Sequence, residues 1–526
     1  MKKILLSFIS YLVVTALNAQ SVEWAQRYNT PGTYATAEVA ASPIDGIAVA
    51  GYYYTFYNTT GLILYKMDDN GTIIWGDTIK QENPRYVDWN PMKSSAIAFS
   101  NSGKLFFGGD FSDTLNADGN LIPTSGGPNF FLTKYNLSGA KEWFHTYPNA
   151  SLNDMQADAS GNTFMLISFS GPFTFFGQNF VPSEASDLLI AKLDASDSLV
   201  FTKQLHGNLT ATKFETSASG NMFVLGKLRD TLYFDAQNYA WSHSPYNDYF
   251  MLKLDPAGTF IDYIPVSTAS IEQYTRLAIN DDEKVMITGE SCWTNGCHAR
   301  YKSYDAAGTA IVDSSWWGET CFYACDFIYQ GAVPTGNNEV WSVQREFNSL
   351  APGNPNDDWE NIALSKYDYN GNVLVRDTFL VSVPNSDNFT DIAWDNNQAL
   401  YMAGQLKGTI NFGAESVTNA DTTADFFVVK LNIQLTTGTR PFVSDAGFEI
   451  FPNPSQNLVN VSYVSNSKGS VQLNVRNVLG QIIFSDLKND SLRYSAKVDV
   501  GSYPKGIYFF EVSNGSEKQI KKVIKN

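Results

Sequence analysis

Histidine and cysteine are scarce, with four of each in 526 residues. None of His145, His206, His243 and His298 stands in an H-E-x-x-H or similar metal-binding spacing. No G-x-S-x-G elbow, P-loop or dinucleotide fingerprint occurs. The familiar routes to nucleophilic, nucleotide-dependent or zinc chemistry are therefore missing. Charged residues make up only 17% of the chain, and a mean hydropathy of -0.20 argues against a membrane-embedded body. Positive charge is also short: 36 Lys and Arg against 53 Asp and Glu give a net charge of -17.

That imbalance is uneven. From Phe448 onward 10 basic residues face 6 acidic ones, a net +4, which leaves 26 basic and 47 acidic residues, or -21, for the rest. An acidic body repels phosphates and anionic lipid, so nucleic acid is not an expected partner.

Met1 to Ala19 has the parts of a secretory signal peptide: Lys2 and Lys3, an apolar run from Ile4 to Leu17, and small Ala19 before Gln20. Cleavage is expected between Ala19 and Gln20, leaving no transmembrane segment in the mature chain. In an exported chain, Cys292, Cys297, Cys321 and Cys325 read as two disulfides stapling a long loop, with three connectivities open. Their C-x4-C and C-x3-C spacing is unusual for zinc.

A three-part repeat fills the body. An apolar strand ends in Lys, an apolar residue, Asp or Asn, and a turn: LILYKMDDNG (Leu62 to Gly71), FFLTKYNLSG (Phe130 to Gly139), LLIAKLDASD (Leu188 to Asp197) and FMLKLDPAG (Phe250 to Gly258). RYKSYDAAG (Arg300 to Gly308), IALSKYDYNG (Ile362 to Gly371) and FFVVKLN (Phe426 to Asn432) complete seven copies, with a mean period of about 61 residues. Between them recurs a turn and strand such as SASGNMFVLGKL (Ser217 to Leu228), also seven times. A third strand opens on an aromatic at Trp24, Trp75, Trp143 and Phe201, then degenerates in later units.

Asn, Asp and Gly supply the turns, and the apolar runs between them have strand length. Each unit predicts a small antiparallel meander that cannot bury both faces alone. Closing seven into a ring protects the edges, so the expected fold is all-β, a seven-bladed β-propeller over 20–432 followed by a small C-terminal β-sandwich. The repeat also resembles the β-propeller repeats of large secreted bacterial proteins, a likeness that implies fold and no activity.

After a linker at 433–447, residues 448–526 hold several short strands. Phe451-Pro452-Asn453-Pro454 begins the segment, an N-x-x-G-Q hairpin turns at Gly480, a Y-P-K-G-x-Y entry contains Gly506 and Tyr508, and a basic KKVIK ending contains Lys521 and Lys522. In this order the motifs resemble the C-terminal sorting domain of type IX secretion, the Por system. The resemblance implies Sec export, recognition by the type IX machinery, and display on the outer-membrane surface or release.

No catalytic residue and no cofactor is read from the body. The Asp after the repeat Lys (Asp68, Asp194, Asp255, Asp305, Asp368) is expected to form turns. Asp68-Asp69-Asn70, Asn280-Asp281-Asp282 and Asn356-Asp357-Asp358 are acidic turns of a calcium-binding kind, yet none fits a full EF-hand loop. Triplets such as Asp113-Thr114-Leu115 and Asp230-Thr231-Leu232 resemble the bacterial Asp-Ser/Thr-apolar O-glycosylation motif, and read equally as turns entering strands. Two functions follow. One is a surface-displayed, non-catalytic propeller that binds extracellular glycan or protein through loop aromatics such as Tyr52, Tyr53, Tyr54, Trp293, Trp316 and Trp317. The other is a secreted polysaccharide hydrolase or lyase using carboxylates at the ring centre.

Overall fold

A computed structural model describes residues 20–525, except 31–33, 56–58, 83–94, 125–126, 159, 236, 242–247, 268–271, 294–295, 316–328, 336–337, 350–357, 382–389, 396–398, 413–414, 421–424, 434–447, 452–454, 456 and 515–517. All described regular structure is β, and the chain divides into two compact units, Met1–Leu435 and Thr436–Asn526.

The larger unit contains seven antiparallel sets of four strands. The first set, Tyr34–Ala41, Ile47–Thr55, Thr59–Met67 and Ile73–Gln81, shows the plan. The inner strands of the seven sets, in chain order, are Tyr34–Ala41, Ser95–Phe99, Ala150–Ala157, Leu209–Thr216, Glu272–Ile279, Tyr329–Thr335 and Thr390–Trp394. Each touches the next, and the seventh touches the first, so the sets form a closed, propeller-like ring. The ring closes within the seventh set: Gln20–Tyr28 pairs antiparallel with Asp425–Ile433, from Gln20 opposite Ile433 to Tyr28 opposite Phe426.

The two middle strands of each set are nearly continuous hydrophobic runs because a neighbouring sheet covers each face. Asn129–Tyr135 and Asp248–Leu254 are buried along their whole length. Residues from adjacent sets share clusters, such as Phe130, Leu132, Leu152, Met165 and Ile167. Each such side chain contributes on the order of 1.5–3 kcal/mol when removed from water.

The repeat lysines are part of this packing. Lys66, Lys134, Lys253, Lys302, Lys366 and Lys430 are buried, and their ammonium groups lie over aromatic rings, as Lys134 does over Phe106 at 5.0 Å and Lys366 over Trp341 at 5.5 Å. Carboxylates complete the pairing, including Glu283 with Lys253 at 2.6 Å and Glu339 with Lys366 at 3.0 Å. Directly opposite the lysine, in register, stands the aromatic of the outer strand: Trp24 faces Lys430, Trp75 faces Lys66, Trp143 faces Lys134 and Phe201 faces Lys192. In the fourth and fifth sets that place is taken by Asp262 and Asp313, facing Lys253 and Lys302.

The aspartates after the lysines form turns. One carboxylate oxygen of Asp68 accepts the amides of Asn70 and Thr72 at 2.9 and 2.8 Å, and Asp194, Asp255, Asp305 and Asp368 repeat the arrangement. Accepting the Thr72 and Asn70 amides, despite a small opposing cost of burial, holds the Asp68 carboxyl below its usual range.

Between the middle strands, four sets insert a hairpin: Leu115–Ala117 with Asn120–Ile122, Phe173–Phe175 with Gln178–Phe180, Thr231–Phe234 with Gln237–Trp241, and Gly408–Phe412 with Glu415–Asn419. Two of these pair with the outer strand of the preceding set, Lys80 opposite Asn116 and Leu380 opposite Asn411. The Asp113-Thr114-Leu115 and Asp230-Thr231-Leu232 triplets lead into such hairpins, and Leu115 and Leu232 are fully buried.

Among the described residues the smaller unit has five strands, two of them long, where the sequence suggests several short ones. Leu458–Arg476 and Ile482–Asp499 pair along their length and run through register shifts between Val464, Gly469 and Val471. One half of Leu458–Arg476 also pairs with Glu449–Phe451, and the other with Gly506–Ser513, which pairs with Lys518–Lys525. Both halves feed one core of Phe448, Val459, Val461, Tyr463, Leu473, Val475, Phe510 and Val523. The hairpin turns where Asn477 accepts the amides of Leu479 and Gln481, with Gly480 at φ 80°.

Candidate functional site at the ring centre

Seven strands converging on one axis leave little room, and the inner strands accordingly carry small residues such as Ala40, Ala98, Ala157 and Ala393. They enclose a cavity of 610 Å³ to which all seven inner strands contribute. That volume lies within the range of small-ligand sites.

The charged side chains of this cavity follow one rule of register. Three pairs before the last pair of each inner strand with its neighbour stand Glu38, Ala96, Asp154, Lys213, Arg276, Ala332 and Asp391. Five of the seven positions are therefore ionisable, arranged around the ring as acid, Ala, acid, base, base, Ala, acid. Glu215, two residues beyond Lys213, adds a fourth carboxyl.

Asp154, Lys213 and Arg276 each follow a bulge, between Leu152 and Asp154, Ala211 and Lys213, and Tyr274 and Arg276. An extra residue bends the strand and re-aims the side chains beyond it, a device common beside functional sites. Asn153, one of these extra residues, lines the cavity, and its Oδ1 is buried without a hydrogen-bond partner.

Asp154 is buried and fully engaged. It accepts Lys213 Nζ at 3.0 Å and the amides of Met155 and Phe214 at 2.9 and 2.8 Å. Burial works against the Lys213 ammonium, but Asp154 and Glu215 outweigh it and raise its pKa. The other carboxyls are held less well. Burial, reinforced by Asp391, pushes Glu38 up to about 8, and burial likewise pushes Glu215 up to about 8 against the pull of Lys213. Burial also raises Asp391, which accepts the Val39 amide at 3.2 Å. Four carboxyls stand against two cations, and the protons kept by Glu38 and Glu215 leave the cavity near charge balance at neutral pH.

Sequence reasoning did not identify these residues. Their signal is the spacing, since consecutive members of the set lie 56 to 63 positions apart. Of the residues singled out from sequence, Tyr52 is half-buried and Tyr53 buried, whereas the side chains of Tyr54 and Trp293 and all of Trp316 and Trp317 lie outside what is described. Cys292 and Cys297 stand opposite each other in one hairpin; their side chains, and all of Cys321 and Cys325, lie outside the described residues. So do Met1 to Ala19, Pro452, Asn453, Pro454, Asn356 and Asp357, while Gln20 opens the closing strand. The Phe451 backbone pairs with Asn460, its side chain lying outside the described set. Tyr508 belongs to the core of the smaller unit and donates its hydroxyl to Pro504 O at 2.8 Å. Gly506 pairs with Lys525, and Lys521 and Lys522 are exposed on the last strand. Among the described residues no group of three His, Cys, Asp or Glu is gathered closely enough to hold a metal ion, and no helix is long and apolar enough to cross a membrane.

Residues 449–526 match the family described as secretion system C-terminal sorting domain. The chain thus carries a type IX sorting domain and is a secreted protein, attached to the outer-membrane surface or extracellular. No curated protein matches it. Among solved structures it is similar to polysaccharide lyase Uly1, at 10% identity and a TM-score of 0.39 over 81% of this chain and 94% of that one. A PL25 ulvan lyase is also similar, at 10% identity and a TM-score of 0.40 over 72% and 93%. Prolyl oligopeptidase B from Galerina marginata follows at 11% identity and 0.37 over 70% and 46%. Likeness at this level carries nothing about activity.

Proposed function

We propose that this type IX-secreted chain is a non-catalytic surface receptor: a seven-bladed propeller over 20–432, joined by 433–447 to its sorting domain at 448–526, that binds an extracellular glycan or protein ligand in its central cavity. The observation that carries the reading is the ring of Glu38, Asp154, Lys213, Arg276 and Asp391 at one register position on five inner strands. Crowding five ionisable groups around the axis, Asp154 buried and the others half-buried, costs stability, and packing alone does not repay it. A polar ligand supplies a reason for them. No resident cofactor is included, and the type IX machinery is the partner for export.

One observation favours the second reading, a polysaccharide hydrolase or lyase. Glu38 and Glu215, both pushed up to about 8, are carboxyls that hold a proton at neutral pH, as a general acid must. A glycan array combined with a reducing-end release assay on the mature body tests the two. Saturable binding without turnover supports the receptor; product release that disappears in Glu38→Gln or Glu215→Gln establishes the enzyme.

A further inference from the structure

We propose, resting on the receptor reading, that the central cavity takes an amino sugar with a free ammonium group, seated at the acidic sector formed by Glu38 and Asp391.

The layout of charge selects the sign of the ligand. Lys213 is committed to Asp154 at 3.0 Å, while Arg276, next to Lys213 in the ring order, is the cation that acts most on Asp391 and opposes its burial only in part. Glu38 and Asp391 belong to the first and seventh inner strands, which touch each other. They therefore form a pair of neighbouring carboxyls across the ring from Lys213. Besides these five groups, the cavity's only other ionisable side chain among the described residues is Glu215. An added anion would face four carboxyls, whereas an added cation can take the place of the protons held by Glu38 and Glu215.

Two further features describe the rest of the ligand. The unpartnered Asn153 Oδ1 accepts a hydrogen bond and so suits an N–H or O–H donor. Trp394, half-buried, lines the same cavity and lies on the same inner strand as Asp391. The indole packs in part against the hydrophobic core, and what it leaves exposed to the cavity offers an apolar surface to a sugar ring. A bare divalent ion lacks the three closely gathered ligands it requires here.

Binding of an ammonium next to protonated carboxyls expels their protons, whereas an anion draws protons in. Isothermal titration calorimetry of the mature body at pH 5.5, where the sugar amines are already charged, repeated in two buffers of different ionisation enthalpy, reads that sign directly. The probes are a glucosamine oligosaccharide, the N-acetylated oligosaccharide of equal length, an oligogalacturonate and a lysine-rich peptide. The expected result is binding of the glucosamine oligomer with net proton release, at least tenfold tighter than the N-acetylated one. Glu38→Gln should weaken it at least tenfold and reduce the release; its melting curve reports folding separately, and Asp391→Asn gives a second reading of the same loss. Preferred binding of oligogalacturonate with proton uptake overturns the proposal and leaves the receptor reading standing. Preference for the peptide, or equal binding of the acetylated sugar, overturns it too. Absence of binding by all four probes overturns it as well, and the glycan array then decides the receptor reading independently.

Discussion

Trp24 donates its indole N–H to the main-chain carbonyl of Asp69 at 2.8 Å, tying the strand that completes the seventh sheet to the turn between the third and fourth strands of the first. The same step is taken around the ring by Trp75 to Leu137 O at 3.2 Å and by Trp143 to Asp197 Oδ2 at 3.1 Å. The outer-strand aromatic that is visible in the sequence is thus a fastening between neighbouring sheets.

Trp24→Phe keeps most of the ring surface and removes the donor, so it should lower stability by about 1 kcal/mol. Thermal melting of the mature body checks this. Equal melting of Trp24→Phe and wild type would show that the fastening contributes nothing.

Glu283 gives an acid-side prediction. Burial works to raise its pKa, but hydrogen bonds from Lys253, Ser219, Asn221 and Ser217 prevail and lower it to about 2. A carboxyl lowered on folding stabilises the fold above its unfolded pKa, and that contribution fades as pH falls from about 4.5 towards about 2. Glu283→Gln should therefore cost on the order of 2–3 kcal/mol at pH 7 and make little difference at pH 2. Denaturant titrations at the two pH values measure it.

The central carboxyls behave in the opposite sense. Glu38 and Glu215 bind protons more tightly in the folded chain, so stability should decline as pH rises from about 4.5 to about 8. Replacing both by Gln should remove most of that decline and stabilise the body at pH 9 by a few kcal/mol. A flat wild-type profile over that range would contradict the burial of these groups.

Deletion of 448–526 should leave the protein in the periplasm. Fractionation with surface protease accessibility is the measurement, and normal surface display of the truncated chain would remove the sorting role.

The middle strands are legible in the sequence because each copy has the same job, a doubly buried run ending at a Lys and an Asp turn. Phe250 to Gly258 and Ile362 to Gly371 differ in almost every residue yet keep that pattern. The inner strands have no such common demand. Their positions hold Glu38, Ala96, Asp154 and Lys213 in turn, and bulges shift the alternation by one residue, so neither identity nor periodicity aligns them. Only counting back from the following strand recovers the set. The fading of the outer aromatic has its own explanation, since Asp262 and Asp313 replace ring packing opposite the lysine with charge. The inserted hairpins escaped notice because strands of three to five residues, such as Leu115–Ala117, are too short to show a period.

The pairing of Gln20 with Ile433 sets an order of events for the whole molecule. Every other sheet of the body joins strands close together in the chain, and can form as soon as its own stretch emerges. The last one waits for more than four hundred residues, the slow kind of contact whose loop must close before any pairing rewards it. Until then the growing body is an open arc with the Gln20–Tyr28 strand unpaired, and its final strand acts as the latch that makes it a ring.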